Sequence, residues 1–208
     1  MKTVYYLLFG VFILIALIAC KKNYGVISSA NVYKISDYPL KLNNQWRYKV
    51  TDFYSGTTDT LTLQIISVKS SDSELDWFCT LSEKGRIVDS GKYVQTQTQV
   101  SYIGLNKNYS YFGDFIFSFP IAANSLWIGF YPVDTVKLIS IDSNLIVNGI
   151  KYDDIFYVKR AFYLIGNYSL VQKLQIAPKI GIVEQTISAF NGALPQNQNF
   201  SLIDYKLN

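Results

Sequence analysis

Histidine is absent from this 208-residue chain. Its absence removes Ser-His-Asp and Cys-His catalysis, histidine-ligated zinc and the commonest general base. Cysteine is limited to Cys20 and Cys79. With Cys20 engaged as argued below, Cys79 has no intramolecular disulfide partner. Strand alternation puts it on one face with Trp77 and Leu81, the setting of a small buried hydrophobe and not of a nucleophile. Charged residues make up only 16% of the chain, with a net charge of +4 and the basic residues scattered, so no nucleic-acid partner is expected. Phosphate-cradling glycine patterns and an Asp-x-Asp-x-Asp-Gly calcium loop are missing, so neither a metal nor a cofactor is expected. Asp153-Asp154 is the one adjacent carboxylate pair. Neighbouring side chains on a strand diverge, and the pair reads as a strand-start turn and not as an acid-base dyad.

What is present starts at the N-terminus. Lys2 supplies a positive start, Val4 to Ala19 is apolar throughout, and Leu17-Ile18-Ala19-Cys20 ends the run before Lys21-Lys22-Asn23. The run falls short of the roughly 18–20 residues that cross a bilayer, and a small residue stands directly before the cysteine. The pattern is that of a bacterial lipoprotein signal peptide, residues 1–19, cleaved before Cys20, whose sulfur takes a diacylglyceryl group. Two or more acyl chains hold a domain stably, so the expected partner is a membrane, reached through a lipid. By the sorting habits of such lipoproteins, the lack of Asp after Cys20 implies the outer membrane, with the domain facing the periplasm. Residues 20–37 are small and polar and read as a flexible tether; residues 38–208 read as one domain.

That domain is written in alternation. Trp46, Tyr48, Val50 and Tyr54 alternate with polar residues, as do Leu61, Leu63 and Ile65 across a Ser55-Gly56-Thr57-Thr58 turn, which predicts a hairpin. Further strands are predicted over Leu75–Ser82, Ile87–Gly91, Tyr93–Tyr102, Val133–Ile141, Ile155–Phe162, Ser169–Ile176 and Phe200–Leu207. Asp142-Ser143-Asn144 reads as a break and 191–199 as a loop. Asn148-Gly149 between apolar runs predicts a type I′ turn. No segment of ten or more residues after Cys20 has a helical period. The expected fold is all-β, a single antiparallel sandwich or a strongly curved, barrel-like sheet.

Pro39, Leu40, Asn44, Trp46 and Tyr48 resemble the opening of a group of secreted and lipid-anchored Bacteroidota envelope proteins of unknown function, Tyr-Phe-Pro-Leu-x-x-Gly-Asn-x-Trp-x-Tyr. Asn43 replaces the usual glycine, and asparagine also tolerates a left-handed backbone. Pro178-Lys179-Ile180-Gly181-Ile182-Val183 resembles the second mark of the group, Pro-Gly-Val-Gly-Leu-Val, with Lys179 at the first glycine. The resemblance also implies that Asp59-Thr60-Leu61 and Asp134-Thr135-Val136 match an O-glycosylation sequon of that phylum, making Thr60 and Thr135 candidate acceptors.

Tyr109, Tyr111, Phe115, Phe117 and Phe119 share one face of the most aromatic stretch. At strand spacing such a stripe fills a core; as a site it would line a cavity for a ligand. The leading functional expectation is a non-enzymatic binding or assembly module with an envelope protein, lipid or glycan partner. Its rivals are a carrier of a lipid or hydrophobic glycan using the aromatic face, and a carboxylate-dependent glycan hydrolase, which needs two convergent acids roughly 5–9.5 Å apart.

Overall fold

The computed structural model describes residues 32–105, 112–130, 134–163, 168–191 and 195–208. Cys20 and the signal segment lie outside these residues, as do Tyr109 and Tyr111. Among the described residues twelve strands form one sheet: β1 (Gln45–Asp52), β2 (Thr58–Ser70), β3 (Leu75–Glu83), β4 (Arg86–Gln95), β5 (Gln99–Gly104), β6 (Phe115–Ser118), β7 (Leu126–Ile128), β8 (Thr135–Val147), β9 (Ile150–Tyr163), β10 (Tyr168–Ala177), β11 (Gly181–Asn191) and β12 (Pro195–Lys206). Every ladder is antiparallel.

The spatial order is β6-β5-β4-β3-β2-β1-β12-β11-β10-β9-β8-β7. First and last strands therefore pair in the middle of the sheet, and the two edges are the short consecutive strands β6 and β7. The sheet curls until those edges approach, giving a nearly closed barrel. Register shifts at Arg47/Tyr48, Ile65/Ser67, Leu81/Ser82, Leu138/Ser140 and Gln175/Ile176 add the local twist that such curvature needs. Across the seam, the Trp127 indole N–H donates to the Ile116 carbonyl at 2.9 Å.

Several expected boundaries move. Tyr93–Tyr102 is two strands, because the Thr96 hydroxyl accepts from the backbone N–H of Thr98 and Gln99 and turns the chain. Asp142-Ser143-Asn144 does not end β8: the ladder to β9 continues through Asp142–Ile155 and Asn144–Asp153. β12 starts at Pro195, inside the expected loop, because Asn197 and Asn199 pair with Ser188 and Thr186. Tyr54 leaves the β1 face and is 72% exposed in the turn. The Asn148-Gly149 turn is as expected, with φ of 49° and 82°.

The packed domain also begins earlier than residue 38. Tyr33 is fully buried and bridges Ile121 through two backbone hydrogen bonds of 2.9 Å. Ile35–Asp37 then forms a single 3-10 turn. One buried aromatic residue in a polar stretch has no period, so alternation does not reveal it.

The two short motifs meet in space. Trp46 donates its indole N–H to the Ile180 carbonyl at 2.6 Å, and Tyr48 its hydroxyl to Ile182 at 2.9 Å. Lys179 N–H bonds to the Asp37 carbonyl at 2.7 Å, and buried Asn44 donates to the Pro39 carbonyl at 2.7 Å. Asn43 and Lys179, the two residues standing at glycine positions, have φ of 64° and 66°. Both motifs are thus the two halves of one packed joint between the N-terminal segment, β1 and the β10–β11 turn.

Candidate functional site

The described part of the aromatic stripe, Phe115, Phe117 and Phe119, faces the barrel interior. Phe115 and Phe117 on β6 and Phe119 beyond it are buried. Phe115 lies 4.9 Å from Phe117 and 5.6 Å from Tyr102 between ring centroids, and Tyr33 lies 5.3 Å from Phe119. Phe112, out of phase with the stripe, is also fully buried, with Tyr48, Phe200 and Tyr102 at 5.3, 5.4 and 5.6 Å. Gln185 holds the Phe112 carbonyl, and Gly113 (φ 72°) lets the backbone pass, since a Cβ there would lie 2.7 Å from Ile187 Cδ1. These rings pack against one another, as interior side chains do.

Charge enters the interior once as an ion pair among the described residues. Arg160 on β9 donates Nε to both Asp134 oxygens at 2.9 Å and lies 2.7 Å from Oδ2 through Nη2. Its Nη1 reaches the Asp114 carbonyl, and its guanidinium sits 5.4 Å from the Phe130 ring centre. Asp134 also accepts from Phe130 N–H at 3.0 Å. With every strong donor and acceptor engaged, the pair works as a clasp between the β8–β9 hairpin and the segments that flank the seam.

The remaining sequence-predicted residues are dispersed. Thr135 is exposed at the start of β8, but its preceding Asp134 is the buried acid of the clasp. Thr60 is half-buried on β2; Asp59 is held by Lys84 at 3.1 Å and by the Thr60 N–H at 2.7 Å. Cys79 is buried, and burial pushes its thiol up to about 12. Asp153 and Asp154 lie inside β9 and not at a strand start. Both are exposed, Asp153 is 3.3 Å from Lys151, and Asp154 has φ 55°. Among the described residues no group of three or more His, Cys, Asp or Glu could hold a metal ion.

Side chains that converge without being consumed by packing lie on the outer face of β9, β10 and β11. Tyr157, Lys173, Gln175, Glu184 and Thr186 line a shallow concavity of about 140 Å³. The register makes it: Gln175 stands opposite both Tyr157 and Glu184, and Lys173 opposite Thr186. Asn199 on β12 fixes one wall, donating to Glu184 Oε1 at 3.3 Å and accepting from the Thr186 hydroxyl at 3.1 Å. Among the described residues Gln175 Oε1 is buried without a hydrogen-bond partner, as are Gln185 Oε1 and the side-chain amide of Gln172 in the interior. An aromatic ring and a cation beside polar side chains on a rigid sheet suit recognition of a polar ligand. The sequence marks these positions as outward and polar, but which of them are neighbours depends on strand register.

No family model matches the chain, and no curated protein does. Among solved structures it is similar to a protein from Parabacteroides distasonis described as a lipoprotein, with a TM-score of 0.46 and 11% identity, covering 84% of this chain and 99% of that one. It is also similar to an exported protein with YmcC-like fold from Bacteroides fragilis, with a TM-score of 0.47 and 10% identity over the same shares.

Proposed function

We propose that this chain is a lipid-anchored protein of the bacterial cell envelope, held through Cys20 at the outer membrane facing the periplasm, and that its β-domain is a non-enzymatic binding module. The anchor reading is supported by Leu17-Ile18-Ala19-Cys20 behind an apolar run with a basic start. The observation that carries the module reading is the interior. Among the described residues Phe112, Phe115, Phe117, Tyr102 and Phe200 pack ring on ring there, and the interior ion pair is self-satisfied, which favours recognition at the outer surface.

The test is expression of the full chain in a bacterial host with labelled palmitate, fractionation of the membranes, and mass spectrometry of the gently purified protein. Label is expected on the wild type and absent from Cys20→Ser, with the protein in the outer-membrane fraction and at its lipidated mass. A reproducible further mass that organic solvent removes would replace the module reading with a carrier. Unlabelled wild type would remove the anchor.

A further inference from the structure

The strand register places three lysines side by side. Lys137 on β8 is opposite Lys159 on β9, and Lys159 is opposite Lys173 on β10. Their inner-face neighbours Val136, Leu138, Val158, Arg160, Gln172 and Leu174 are buried, so all three lysines are on the outer face. Adjacent strands lie about 4.8 Å apart, and like charges directly opposite one another on a ladder repel. None of the three makes an ion pair, although five such pairs are formed elsewhere among the described residues. The row runs directly into the concavity, which Lys173 itself lines. Glu184, the carboxylate lining that concavity, is engaged by Asn199. Tyr157, next to Lys159 on the far side of the intervening Val158, brings an aromatic ring to the same concavity.

We propose that this face binds an acidic glycan, with Lys137, Lys159 and Lys173 holding successive anionic groups while Tyr157 and Gln175 take a sugar ring. The inference rests on the binding-module reading and gives the module a ligand class. A polymer with charges repeating at about the strand spacing matches a row of ammonium groups set by that spacing. Tyr157 offers an apolar ring face, on which a sugar ring can pack and a bare phosphate or sulfate cannot. The anion is a carboxylate or sulfate carried on sugar.

The experiment is calorimetric titration of the full chain in nonionic detergent with polygalacturonate, heparin, inorganic polyphosphate and neutral dextran. Polygalacturonate or heparin is expected to bind, which of them does so telling carboxylate from sulfate, and dextran is not. Affinity is expected to fall about tenfold or more between about 50 and about 300 mM salt. The triple substitution K137Q/K159Q/K173Q should abolish binding without lowering the thermal midpoint, because it removes repulsion. Tyr157→Ala should weaken glycan binding several-fold and leave the salt dependence intact. Equal binding of dextran, or binding of polyphosphate but of neither glycan, would each overturn the proposal. A triple variant that binds as the wild type does, or that is less stable, would overturn it too. The readout does not involve Cys20, so a failed anchor and a failed ligand site are told apart.

Discussion

Arg160 and Asp134 show how much a single pair of residues decides in this protein. Both are buried, and the Asp134 carboxylate accepts from the Arg160 Nε and Nη2 and from the Phe130 amide. Breaking a buried pair from one side leaves a charge without compensation, which costs more than the pair contributes net. Asp134→Asn is therefore expected to lower the unfolding free energy by about 3–5 kcal/mol, read as a lower urea midpoint with an unchanged slope. Replacing both residues by apolar ones of similar size should cost less than the sum of the single changes. Nothing in the sequence singles out either residue. Asp134 stands in a short sequon and Arg160 in an ordinary strand, and only the closing of the barrel brings them together. The opposite holds for Cys79, whose burial follows from its alternation with Leu81.

Strands and turns form the next scale, and here local chemistry was readable wherever it was self-contained. The Asn148-Gly149 and Lys84-Gly85 turns both have positive φ at both residues, as two-residue hairpins of this hand require. The turn at Thr96–Thr98 was not readable, because a hydroxyl accepting two backbone N–H groups stands in for the usual glycine signal. The same logic applies to the left-handed Lys179, whose amide bonds to the Asp37 carbonyl. A side chain with Cβ in that region costs roughly 1–2 kcal/mol relative to a right-handed residue, and glycine does not incur that cost. Lys179→Gly should raise stability by about 1 kcal/mol, and Lys179→Val should lower it by a similar amount or more, both measured as thermal midpoints.

At the scale of the whole molecule, the interior is an aromatic one, and its polar groups make it sensitive to alkali. Burial raises the hydroxyls of Tyr33, Tyr48 and Tyr93 well above their ordinary value of 10.0, raises those of Tyr38 and Tyr102 as well, and pushes the Cys79 thiol up from 9.0 to about 12. The unfolded chain gives up these protons at lower pH than the folded one does. The stability they support is thus fully present below about pH 9 and is lost as pH rises, at about 1.4 kcal/mol per pH unit for each group titrating only in the unfolded state. A urea midpoint falling steeply above about pH 10, with the last phenolate absorbance appearing together with loss of β circular dichroism, is the expected result. Phenolate absorbance that is complete while the fold persists would show these hydroxyls open to solvent. By itself the sequence determined the all-β class, the inward faces of β1, β2 and β6, the hairpin at Asn148-Gly149 and the apolar run ending at Cys20, because period, turn residues and hydrophobicity act over a few neighbours. The tertiary structure alone decided that β1 pairs with β12, that the sheet curls into a near-closed barrel, that Arg160 meets Asp134, and that Lys137, Lys159 and Lys173 form one row. Those outcomes depend on register between strands far apart in the chain, and a one-residue slip in any ladder would have exchanged the faces without altering the pattern that each strand displays.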